Sequence, residues 1–489
     1  MSLCCQLQGI LSLSLAMFSS HHHADVVRLD ARRSRKLGYL QASPTFVFIP
    51  LPGTGCQGFE KTAGCFNETD DGVREFFQSQ PRGNLAEGRK PPPDGGSKAW
   101  LQVLMGHLLN VNCWGYINSY GIFQAYYQKT LNLPASTVAW TGSVQIFFLM
   151  FIGAFSGRAL DAGFYRHTLI AGCFLQILGI FSVSFATQYW QIFLSQGVCQ
   201  GLGTGLIFCP TISLVSTYFQ RRRMFAVSLV ACGGGTGGIV FPLLVQKLLP
   251  RLGFPWTIRI MGFVVLFNAI AVISVARTRL PPRPSGPFFE WTAFKEIPYI
   301  LYTIGTFFSL WPVYYAYGYI NVFATSIIHT TTSTSLTILL TFNAVGIPGR
   351  IIPALLADRI IGPLNTFILL CIICALLIYI WLSVSSFPGL IAFAVIYGFM
   401  NAGVQAIFLG SVSSLTKDLS KMGTRVGMVL SVASFACFTG GPIAGALIDR
   451  MGGEFVGVCI FGGTCMTVGS LILVGARVAE TGWVWRRKV

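Results

Sequence analysis

Twelve apolar runs shape this chain, each near the ~20 residues that a helix needs to cross a ~30 Å hydrocarbon layer. They lie near 99–126, 137–157, 167–187, 190–217, 224–248, 256–276, 298–326, 334–357, 364–385, 388–415, 424–448 and 454–475. Hydrocarbon offers no water to backbone N–H and C=O groups, so each span must satisfy them internally. A transmembrane barrel would need alternating segments of ~10 residues, and these are not seen. The expected fold class is an all-α membrane protein: twelve transmembrane helices in two six-helix halves. Charged residues make up only 10% of the chain, against ~25% in soluble domains, which excludes a soluble globular protein. The net charge of +17 sits in short loops between spans, so it reads as topology and not as a nucleic-acid surface.

A polar connection from Ala276 to Pro298, with Pro281, Pro282, Pro284 and Pro287, divides the spans six and six. The expected organisation is a disordered N-terminal region 1–90, a first half 91–276, a Pro-rich linker 277–297, a second half 298–475 and a basic tail 476–489. Both termini then share one side. Loops there hold Arg166, Arg221, Arg222, Arg223, Arg277, Arg279, Arg359, Lys417 and Lys421, whereas the opposite loops hold Lys129, Lys247, Arg251 and Arg450. Positive charge marks the cytoplasmic side, so both termini are expected inside. In the lead-in, Ile10–Phe18 is too short to span and lacks a basic start, so no signal peptide is expected. His21–His23 suggest at most weak metal binding, and the sequon at Asn67 would face the cytosol unused. The 14 cysteines are scattered through apolar spans; Cys371 and Cys374 read as packing residues, and no disulfide framework or metal site is expected.

The halves repeat. Gly157-Arg158-Ala159-Leu160-Asp161 closes the second span, and Ala354-Leu355-Leu356-Ala357-Asp358-Arg359 closes the eighth, six spans later. Two related halves around a mid-membrane site are the architecture of an alternating-access transporter. Between the fourth and fifth spans, Tyr218-Phe219-Gln220 leads through Arg221, Arg222 and Arg223 into Gly233, Gly234, Gly235, Gly237 and Gly238. The arginines must stay at the membrane surface. The glycines leave a face without side chains that a neighbouring helix can approach closely. Asp161 is placed to cap a helix and to pair with Arg166 or the triplet, and a cytoplasmic cluster of Gly157, Asp161, Arg166, Arg221, Arg222, Arg223, Asp358 and Arg359 could latch one conformer. Topology alone would also account for these charges.

One strong charge stands out inside a span: Arg350, in Gly346-Ile347-Pro348-Gly349-Arg350-Ile351-Ile352-Pro353. An intramembrane arginine is a candidate site by default, and its forked donors suit a carboxylate. A pair with Asp358 is the structural alternative. Neutral polar and aromatic residues complete the expected cavity: Asn112, Tyr116, Asn118, Gln124, Gln145, Tyr314, Tyr315, Tyr317, Asn343, Asn401 and Gln405. Arg350, Asn118, Asn343, Tyr116 and Gln405 are the candidate substrate residues. His107, near a helix entrance, reads as packing.

These motifs resemble the major facilitator superfamily, and within it the monocarboxylate porter family, especially its fungal members. Pro93-Asp94-Gly95-Gly96 with Trp100 resembles that family's motif opening the first helix, with Ser97 in place of the usual aromatic. Tyr218–Arg223 with Ala226 and the glycine run resembles its fifth-helix motif, and Gly157, Asp161, Gly163 and Arg166 resemble the superfamily loop motif. The resemblance implies that Arg350 binds a substrate anion. Proton-coupled lactate carriers of the family place an acid where Gly346 stands and a lysine where Asn118 stands, so a simple proton–lactate symporter does not fit. The expectation is therefore a secondary transporter of a small organic acid or weakly acidic metabolite, exporting a fungal secondary metabolite across the plasma membrane. Proton-linked monocarboxylate uptake is the alternative, and a non-transporting nutrient receptor is a second class. No enzyme activity, cofactor, metal or nucleic-acid partner is implied; the expected partners are the substrate, the lipid bilayer and protons.

Overall fold

The computed structural model describes residues 93–220, 222–279, 290–416 and 422–483, without the side chains of Asp161, Thr332, Ser333, Ser413 and Met422. The expectations for region 1–90, with its histidines and sequon, fall outside these residues. So do those for Arg221, the linker prolines, Lys417, Lys421 and the last six residues.

The described residues are helical, with no strand among them. Among the described residues, nine helices are long and apolar enough to cross a membrane. One of them, Arg223–Val275, is 53 residues long and would measure about 80 Å if straight, far beyond the hydrocarbon thickness. It folds back at Gly253, whose φ of 72° only glycine adopts readily, between Pro250 and Pro255. Its two legs are α5 and α6. Two more spans are interrupted. The first, α1, runs through Ser97–Asn110, a π turn at Val111–Gly115, Tyr116–Asn118 and Tyr120–Leu131. The seventh, α7, is Ile297–Leu310 and Tyr315–Ser326. The others are α2 (Ala135–Asp161), α3 (Tyr165–Val183), α4 (Tyr189–Tyr218), α8 (Thr332–Leu356, extended by a π turn Ala357–Ile361), α9 (Pro363–Trp381), α10 (Phe387–Ser411), α11 (Met422–Arg450) and α12 (Val456–Thr481). Twelve spans result, and α12 continues past residue 475 to Thr481.

The break in α7 follows from Pro312, which lacks an N–H and crowds the preceding turn. Irregular backbone at membrane depth is tolerated only where protein re-satisfies it. Here Asn401 of α10 donates to the freed Val313 carbonyl at 3.0 Å. The Trp114 and Tyr314 rings stack beside this break, 5.6 Å apart and 12° from parallel, and join α1 to α7.

Small residues set the contacts between the first six helices and the last six. On α2 and α11, Ala154 lies against Gly427, Ser143 against Gly441 and Ser136 against Gly445. From 136 to 154 this antiparallel seam covers about 27 Å, nearly the hydrocarbon thickness. Farther round, α5 packs on α8 through its glycines, and Gly121 of α1 closes on the Tyr317 carbonyl of α7. Within the first six helices, α1 and α5 cross at Gly115 and Gly237, where a Cβ on Gly237 would stand 2.6 Å from the Gly115 Cα. Gly237→Ala is therefore expected to destabilise the protein by about 1–3 kcal/mol through overpacking. Gly475→Ala, where a Cβ would meet only Leu301 at 3.8 Å, should be neutral. Thermal melting of both variants in detergent checks the contrast.

Candidate functional site

The site forms where α8 meets the glycine face of α5. Arg350 is 2% exposed and points across the boundary between the two sets of six helices. A Cβ on Gly235 would stand 3.4 Å from Arg350 Nη1, and one on Gly234 would stand 3.7 Å from Nη2. The guanidinium thus lies at van der Waals distance from the glycine face. Arg350 Nη1 donates back to the Gly346 carbonyl at 3.0 Å, and a side chain at 346 would begin 2.8 Å from that nitrogen. Nη2 donates to Gln405 Oε1 at 3.3 Å, and Gln405 Nε2 donates to the Tyr317 hydroxyl at 3.3 Å. Among the described residues Arg350 forms no ion pair. Asp358, the structural alternative, is exposed and forms no ion pair with it. A buried guanidinium held only by neutral oxygens is a ready site for an anion.

Two asparagines flank it. Asn118 donates to the Gly234 carbonyl at 3.2 Å from the α1 side, and Asn343, two turns before Arg350 on α8, donates to Leu339 at 3.0 Å. Both are fully buried. Four of the five expected substrate residues thus come together: Arg350, Asn118, Asn343 and Gln405. Tyr116 does not join them. Its ring stacks on Phe123 at 5.3 Å and meets Phe241 edge-on at 5.9 Å, inside the first six helices. Sequence spacing could not show this, because the π turn at 111–115 rotates the helix just before Tyr116. His107, read as packing, is bonded to the Leu229 carbonyl at 2.8 Å.

The expected latch residues are spread along the face that carries the basic loops. Gly157 packs against Cys209, where a Cβ would meet the sulfur at 3.2 Å. Arg166, Arg222 and Arg359 are exposed, and Arg223 Nε reaches the Ser216 carbonyl at 3.4 Å. Arg166 forms no ion pair among the described residues. Asp358 follows α8 in the π turn Ala357–Ile361 and is exposed.

Sequence reasoning missed two fastenings on the same face. The Asp94 carboxylate accepts from the Gln220 backbone N–H, and the Asp94 N–H donates to Tyr218 O at 3.2 Å. Trp100 then packs on Phe219 with ring centroids 5.1 Å apart. The motifs opening α1 and α5, read separately in the sequence, are thus two sides of one contact. The second is Arg425 of α11, a further intrahelical arginine, 5% exposed. It pairs with Glu290 at 3.1 Å and with Glu296 at 2.6 Å, beside the Tyr299 ring. A basic residue inside the first turn of an apolar span was the available signal. Breaking a buried pair leaves an uncompensated charge and costs about 3–5 kcal/mol. Arg425→Ala, which strands the buried Glu290, should therefore lower the melting temperature well below Glu296→Gln, whose side chain is 44% exposed.

An all-helical bundle with interrupted first and seventh spans, small-residue seams and a buried site between two groups of six defines a multi-pass membrane transporter. The chain matches the model of the Major Facilitator Superfamily over residues 106–424 and belongs to that superfamily. It is similar to an MFS-type transporter of Gibberella zeae, 43% identical over 86% of this chain and 94% of the relative. It is also similar to the aspyridones efflux protein of Emericella nidulans, at 33% over 80% of each chain. The fujikurins efflux protein of Gibberella fujikuroi is 31% identical over 80% of this chain and 84% of its own.

Proposed function

We propose that this transporter exports a weakly acidic fungal secondary metabolite across the plasma membrane, with Arg350 as the anchor for the acid. The observation that carries the reading is the Arg350 guanidinium, 2% exposed at the boundary of the two halves with no acidic partner among the described residues. The efflux proteins among its relatives support the direction. Asn118, Asn343 and Gln405 line the same substrate site, at the midplane position that alternating access requires.

The two units that rock against each other are residues 91–276 and 298–475, joined by the linker 277–297. Arg350 is enclosed here, with the α2–α11 seam running almost the full membrane thickness. Release to either side requires parting one end of that seam. On the basic side, which the charge rule makes cytoplasmic with both termini, the loop cluster of Gly157, Asp161, Arg166 and the arginine triplet acts with Asp358 and Arg359 to hold the closed end. A few kcal/mol suffices to bias such an equilibrium.

Placement in the monocarboxylate porter branch rests on the Asp94–Tyr218–Gln220 contact between its two signature motifs. Proton-linked uptake of lactate or pyruvate is disfavoured by Gly346, whose carbonyl accepts a hydrogen bond from the arginine where that branch's lactate carriers have an acid. The chain acts as a carrier and not as an enzyme.

Complementing a deletion strain tests Arg350. Arg350→Gln should reduce export of the acidic metabolite at least about a hundredfold, in line with losing a charge-assisted pair of roughly 3 kcal/mol. Arg350→Lys, which keeps the charge but not the fork, should retain part of it. Full export by Arg350→Gln at normal membrane abundance would overturn the assignment.

A further inference from the structure

Three asparagines around Arg350 share one arrangement. Asn118, Asn343 and Asn401 are each 0% exposed. Each donates through Nδ2 to a backbone carbonyl: Gly234 at 3.2 Å, Leu339 at 3.0 Å and Val313 at 3.0 Å. A carbonyl oxygen accepts only, so these bonds fix which end of each carboxamide is which. In each case Oδ1 is left as a buried acceptor that no donor among the described residues reaches. Buried acceptors of this kind are costly to leave unmade, and three in one neighbourhood indicate a common occupant.

They are arranged about the guanidinium. Asn118 and Arg350 approach the same glycine, with Asn118 Nδ2 3.6 Å and Arg350 Nη2 3.7 Å from a Cβ built on Gly234. The carboxamide of Asn343 lies against Gly238, one turn along the same glycine row. Asn401 is one turn before Gln405, which accepts from Arg350. Among the described residues the lining thus offers a cation and several acceptors, but no acid.

The geometry points to a substrate that carries hydrogen-bond donors beside its acid: hydroxyl or N–H groups that reach the Asn118 and Asn343 oxygens while a carboxylate or enolate lies on Arg350. This rests on the reading of Arg350 as the anion anchor. It narrows the substrate class to hydroxylated or N–H-bearing acids and selects against acids of the same size with apolar flanks. A site built to hydrogen-bond a group rejects the analogue that lacks it, because its own buried polar atoms are then stranded.

The test uses the purified full-length protein in lipid nanodiscs and two probes of equal shape, 3,4-dihydroxybenzoate and 3,4-dimethylbenzoate, titrated calorimetrically. The wild type should bind the dihydroxy acid at least about tenfold more tightly. In Asn343→Leu, and independently in Asn118→Leu, this preference should fall to about threefold or less through lost affinity for the dihydroxy acid. Equal binding of both acids by the wild type, as expected if structural water fills these positions, overturns the inference, as does binding of neither. The two readings separate in Arg350→Gln. Loss of both probes there with no wild-type preference means that only the donor inference has failed. Unchanged binding of both with the preference intact means that the Arg350 anchor has failed.

Discussion

The central constraint is a positive charge kept inside an apolar bundle. Moving a guanidinium out of water costs several kcal/mol even after relaxation, and a well-placed carboxylate would offset that cost. Arg350 has neutral partners instead: a backbone carbonyl of its own helix and the Gln405 amide. Those partners reduce the penalty without cancelling the charge. An arginine so held keeps its attraction for an incoming anion, which a salt bridge would have used up.

Much of the surrounding architecture makes that placement possible. Gly346 leaves the space that the guanidinium takes on α8, and the α5 glycines let α8 pack closely beside it through Asn343 and Ile347. The interrupted spans α1 and α7 place Asn118 and Tyr317 beside it, and Asn401 repairs the break that Pro312 makes. These elements come from both groups of six helices, so the site exists only when the two are together. A site shared across such a boundary is coupled to any motion along it, and this is how occupancy could bias alternating access. The fastenings on the basic side are of a different kind. Arg425 with Glu290 and Glu296 ties the segment before α7 to α11, and Asp94 ties the start of α1 to the loop before α5.

The spans were legible because length and hydrophobicity are nearly sufficient for a transmembrane helix. The Gly253 fold-back matched the gap between two apolar runs, and Arg350 declared itself as a charge among apolar neighbours. The glycine row reads as a helix-packing face, and it is one, but the helix packed on it carries a charge from the opposite half. Local sequence does not reveal a partner more than a hundred residues away. Tyr116 reads in the sequence as one of the polar and aromatic residues of the cavity, and the π turn before it directs its ring toward Phe241 instead. Arg425 lay in the first turn of an apolar span, and only the fold shows that two glutamates from the linker side meet it there.

The most direct measurement of the central claim compares a strain lacking this protein with its parent, by untargeted mass spectrometry of medium and cell extract. Growth on pyruvate and lactate is scored in parallel. The account predicts an acidic metabolite that disappears from the medium and accumulates in the cells, with growth on both acids unchanged. Loss of growth on pyruvate or lactate with an unaltered metabolite profile would contradict it and make the protein an uptake carrier.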